Sequence, residues 1–72
     1  MADLEEHTFT GSSRVQSATY NPGTREVIVT FPDGVQWEYR GVSRGEWHDF
    51  TNAESAGRYL TTHLEAHANG PV

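Results

Sequence analysis

Eleven residues carry the chemistry that this chain could do, and ten of them fall into three clusters. Ser12, Ser13 and Arg14 set two hydroxyls beside a guanidinium, a combination that can hold a phosphate or a carboxylate. Ser55, Gly57, Arg58 and Tyr59 repeat hydroxyl and guanidinium around a glycine, near a helix start where unpaired N–H groups favour anions. Trp37, Tyr39 and Arg40 place aromatics two apart on a strand, a spacing that can stack bases or simply form a core face. Trp47 is the eleventh, an aromatic able to anchor a protein interface if exposed.

Other chemistry is poorly provided for. His63 and His67 have the i, i+4 spacing of two metal ligands on one helix face. The segment His63-Leu64-Glu65-Ala66-His67 has its Glu at the third position, so it is not the zinc-protease pattern, and no third ligand stands out. No Ser occupies a nucleophile elbow, no phosphate-loop pattern occurs, and there is no cysteine for disulfides or Cys-bound zinc. The residues therefore predict no enzyme, no metal site and no cofactor.

Seventy-two residues with a net charge of −5 make one small, acidic domain. Acidity disfavours non-specific nucleic-acid binding, which requires phosphate neutralisation. All five cations are arginines, at positions 14, 25, 40, 44 and 58. That bias suits guanidinium recognition of anions and equally a GC-rich coding genome. No apolar run approaches the ~20 residues of a membrane span, and no basic-then-apolar leader is visible. A cytoplasmic or virion location without membrane contact is expected.

Positioning falls to three strands and two helices. Strand one is expected at about 14–20, strand two at 26–31 with Val27, Val29 and Phe31 on one face, and strand three at 35–40 with Val35, Trp37 and Tyr39 on one face. Asn21-Pro22-Gly23-Thr24 is a turn in which Gly23 is expected to supply positive φ, and Pro32-Asp33-Gly34 closes a hairpin. Ser43 with Glu46 forms a capping box before a short helix carrying Trp47 and Phe50. A second helix is expected from the Thr51-Asn52-Ala53-Glu54 start through about residue 67, with Ala53, Ala56, Leu60 and Leu64 on its apolar stripe. Gly57 within that helix implies a close backbone approach, to the sheet or to a ligand. Residues 1–10 are expected to form a flexible arm, 11–67 the single domain and 68–72 a fraying tail. The result is a two-layer α+β domain with a three-stranded antiparallel meander and two helices on one face.

Three motifs in this order, Ser12-Ser13-Arg14-Val15, Trp37-Glu38-Tyr39-Arg40-Gly41-Val42 and Ala53-Glu54-Ser55-Ala56-Gly57-Arg58-Tyr59, resemble the KTSC domain across roughly residues 12–64. That family occurs in small bacterial and phage proteins and at the C-terminus of some lysyl-tRNA synthetases. Trp37 stands where the family usually has Tyr. The resemblance implies a β-β-β-α-α domain and invites an RNA-binding role. Against that role, the final helix offers His63, Glu65 and His67 where a basic binder would carry Lys or Arg. The expected function is a non-catalytic interaction module, phage- or prophage-encoded, that binds a protein partner or a second copy of itself. The alternatives are a nucleic-acid or nucleotide binder using Ser12, Ser13, Arg14, Arg40, Ser55 and Arg58, and a virion accessory such as a capsid-decoration protein.

Overall fold

The computed structural model describes residues 4–11 and 13–72. Five antiparallel strands form one sheet in sequential order: β1 (Glu5–Thr8), β2 (Ser17–Asn21), β3 (Glu26–Thr30), β4 (Gln36–Tyr39) and β5 (Asn69–Pro71). Between β4 and β5 run helices α1 (Arg44–Thr51) and α2 (Ala56–Thr62) and a 3-10 turn at Leu64–Ala66. The α+β class and the central meander agree with the sequence pattern. The strand count does not: among the described residues it is five, not three. Residues 5–8 and 69–71, expected in an arm and a tail, are the two edge strands. Apart from Thr8, EEHT and NGP lack strand-favouring residues, so pairing with the neighbouring strand must hold them extended.

The cross-strand pairs Ala18–Val29, Tyr20–Val27, Val27–Tyr39 and Val29–Trp37 put these side chains on one sheet face. The helices cover that face through Trp47 and Phe50 of α1 and Ala56 and Leu60 of α2. Burying six alternating apolar side chains removes them from water at roughly 25 cal/mol per Å², which three bare strands could not do. Tyr20 is fully buried, donates its hydroxyl to the Val42 carbonyl at 2.8 Å, and lies stacked on Trp47 with centroids 5.4 Å apart. Val35 is not part of this face: it sits in the hairpin turn and is 48% exposed.

Local signals set the boundaries. Ser43 caps α1, accepting the Glu46 N–H at 3.1 Å while the Glu46 carboxylate accepts the Ser43 N–H at 3.2 Å. The second helix starts later than expected. Asn52 instead ends α1, its amide donating to the His48 carbonyl at 2.8 Å, and Ser55 caps α2. Helix α2 also stops early, at Thr62. Thr61 and Thr62 donate their hydroxyls to the carbonyls four residues back, a bond that weakens helices.

In the β2–β3 turn the Asn21 side chain accepts the N–H groups of Gly23 and Thr24. Gly23 does not supply the positive φ; Arg25 does, at 61°. Its carbonyl accepts the Val42 N–H at 2.9 Å, which ties the turn to the start of the helical layer. A left-handed non-glycine residue costs about 1–2 kcal/mol, while glycine adds roughly 0.4–1 kcal/mol of unfolded-chain entropy. Chemical denaturation of Arg25→Gly is therefore expected to give a protein as stable as the parent or up to about 1.6 kcal/mol more stable. A clear loss would mean that the Arg25 side chain holds more than its backbone geometry indicates.

Candidate functional site

The first and third motifs meet. Arg14 leaves the β1–β2 connection and lies across Gly57 of α2, its guanidinium donating to Thr61 Oγ1 at 3.1 Å across 47 residues of sequence. A Cβ on Gly57 would lie 2.8 Å from Arg14 Cδ and 2.9 Å from Arg14 Cβ. The close approach implied by this glycine is thus to the Arg14 side chain.

Beside this crossing runs a groove of about 420 Å³ lined by residues 7–11, Ser13, Arg14 and residues 53–56. Ser13 and Arg14 form part of one side, and Ser55 part of the other. Ser55 Oγ accepts the Arg58 N–H at 3.3 Å, so this hydroxyl is already the helix cap. Ser12 lies outside the described residues. A shallower hollow on the outer side of α2 is bounded by Ser55, Arg58, Tyr59 and His63. There Tyr59 stacks on His63 at 4.3 Å and packs against Phe50 at 5.9 Å. Partial burial, then the Asp49 and Glu46 carboxylates, raise the Tyr59 phenol above its ordinary pKa.

The central motif goes elsewhere. Tyr39 is buried in the core, where burial and then Glu65 raise its pKa. Trp37 is half-buried on the same helix-covered face, its Nε1 donating to Asn69 Oδ1 at 3.0 Å. With these aromatics turned toward the helices, the open sheet face has no Trp37–Tyr39 stacking platform. Arg40 pairs with Glu38 at 2.6 Å. Trp47 is only 5% exposed, so the interface-anchor expectation for it is corrected: the α1 stripe turns it onto Tyr20.

The His63–His67 pairing also dissolves, because the helix ends between them. His63 stays against Tyr59, while His67 Nε2 reaches Glu46 Oε2 at 2.6 Å. An ionised carboxylate can only accept, so Nε2 donates. This contact, beyond sequence reasoning because it joins positions 21 apart across the 3-10 turn, fastens the β5 end of the chain to the capping box of α1.

Residues 11–67 match the KTSC domain. The chain belongs to the KTSC domain family. Among solved structures it is similar to a KTSC domain protein from Yersinia pestis, with 22% sequence identity, 97% of this chain and 99% of that chain covered, and a TM-score of 0.86. At that identity the likeness speaks for the fold alone. No curated protein matches the chain. In this KTSC domain the first and third motifs are therefore joined by packing, and the middle motif builds the core beneath them.

Two outcomes test this account. Gly57→Ala should destabilise by about 1–3 kcal/mol through overpacking, outweighing a helix-propensity gain of roughly 1 kcal/mol. In the Arg14→Gly background, which removes both the Cδ and the Cβ that a Gly57 side chain would meet, the same change should be neutral or stabilising; an equal loss in both backgrounds, measured by urea unfolding, would remove Arg14 as the cause. The second concerns acid. Partial burial pushes the Glu46 carboxyl upward, but the hydrogen bonds from His67 and Ser43 and the charge of His67 outweigh it, and its pKa is lowered. Its contribution is complete above the unfolded-chain value of about 4.3 and is lost as pH falls through the lower folded value. Melting temperature should drop in that window, and His67→Ala should flatten the drop; identical pH profiles would exclude the contact as a source.

Proposed function

We propose that this KTSC domain is a non-catalytic interaction module that binds another protein through the groove beside Arg14. The observation carrying the reading is the convergence of the first and third motifs on one groove, held by the Arg14–Gly57 crossing. At about 420 Å³, the groove falls within the ~300–1,000 Å³ range of ligand sites. Glu54 lines it on a chain of net charge −5, which favours a partner with a basic contact surface.

A second reading, a nucleotide or RNA ligand, draws on Ser13, Arg14 and Ser55 meeting there. It weighs less. Arg40 is paired with Glu38, Glu54 lines the groove, and the net charge of −5 disfavours phosphates.

Native mass spectrometry of the protein taken from its natural source, with and without Glu54→Arg, separates the readings. A protein-sized mass increment that disappears in Glu54→Arg is expected. An increment that persists in the variant overturns the groove as the contact. A nucleotide-sized increment whose binding falls steeply with salt transfers the site to the second reading.

A further inference from the structure

Resting on the groove as the contact site, we propose that its occupant is an extended segment of the partner protein, added as a sixth strand along the free edge of β1. Side chains of a strand alternate between the two sheet faces. This groove takes in His7 and Thr8 at the end of β1, and then Phe9, Thr10 and Gly11 of the turn that follows. Because it meets both His7 and Thr8, whose side chains point to opposite faces, it reaches the strand edge, where backbone groups point.

The direction of those groups follows from the pairing. Phe9 N–H donates to the Gln16 carbonyl at 3.0 Å in the same register that pairs Thr8 with Ser17 and Glu6 with Thr19. Backbone direction alternates along a strand, so Phe9 and His7 bond inward to β2 and the N–H and C=O groups of Thr8 and Glu6 point outward. Among the described residues no strand lies beyond β1. A row of unpaired main-chain donors and acceptors is matched by another extended backbone.

The opposite edge is closed to this chemistry. Val72 N–H donates to the Gln36 carbonyl, and the Ala68 carbonyl accepts the Arg40 N–H. Both face β4, so the nitrogen of Pro71 between them faces outward, and it has no hydrogen to give. Proline at that position blunts an edge. β1 contains no proline.

The walls set the side-chain chemistry of the occupant. On the helix side the incoming strand meets Phe9 and the small residues Ala53 and Ala56, which accept small apolar or hydroxyl side chains. On the open face it passes Glu6, which makes no ion pair among the described residues, whereas Glu5 is held by Arg44 at 2.8 Å. An Arg or Lys opposite Glu6 completes the match.

A displayed library of random linear peptides panned against the intact protein tests this. Enriched peptides should carry a basic residue among small or β-branched ones. Their binding should fall at least about tenfold, ~1.4 kcal/mol, when alternate peptide nitrogens are methylated, a change that leaves the protein untouched. Thr8→Pro, which removes one outward N–H, should give a similar loss with an unchanged melting temperature. Hydrogen exchange at the Glu6 and Thr8 amides should slow in the complex. Failure to enrich any peptide, or enriched peptides indifferent to both backbone changes, overturns strand addition. In the native complex, loss with Glu54→Arg but retention with Thr8→Pro would likewise overturn it while leaving the groove as the contact; retention in both would remove the groove itself.

Discussion

Everything above the sheet hangs on the junction where Tyr20, Val42 and Trp47 meet. Tyr20 brings a polar group onto an apolar face: its ring fills the core and its hydroxyl must be satisfied there. The Val42 carbonyl satisfies it at 2.8 Å, at the point where the chain leaves β4 for α1. Trp47 then closes over the ring. A buried hydroxyl without a partner would cost about 1–3 kcal/mol, so the bond fixes where the helical layer begins. Phe50, one helical turn on, extends the cluster to Phe9 and Tyr59. Through those two rings, the same core that holds α1 also anchors Phe9, which lines the groove, and α2 on its other side.

The motifs thus divide their labour. Trp37 and Tyr39 belong to the core, and Arg14 and Gly57 form a steric pair in which a missing Cβ is filled by another residue's side chain. Glu46 serves three neighbours at once, the Ser43 backbone, the Ser43 hydroxyl and His67. It links helix capping to the return of the chain into β5. Such double use suits a chain with little interior to spend.

Sequence pattern reveals what is local. Alternation in Val27–Phe31, the Asp33–Gly34 hairpin and the Ser43–Glu46 box are each written in a few adjacent residues, and all three are present. The edge strands were not legible, because Glu5–Thr8 and Asn69–Pro71 are strands only by virtue of β2 and β4 beside them. The start of α2 was misplaced since Thr51–Glu54 and Ser55 offer competing caps, and Asn52 is taken by the end of α1. Of the site, the motif residues themselves were visible, but the sense of their meeting was not. Gly57 announced a close approach without naming Arg14, and nothing in the pattern of residues 5–8 distinguished a strand edge from a mobile arm.

Pro71 has a consequence for assembly. When a sheet grows by one strand, the newcomer inherits an exposed edge and growth can continue; two receptive edges allow copies to tile end to end into a fibre. If a strand joins at β1, the opposite margin still presents the imide nitrogen of Pro71, so a further copy arriving there would find one donor missing and head-to-tail growth through the sheet would be interrupted at that point.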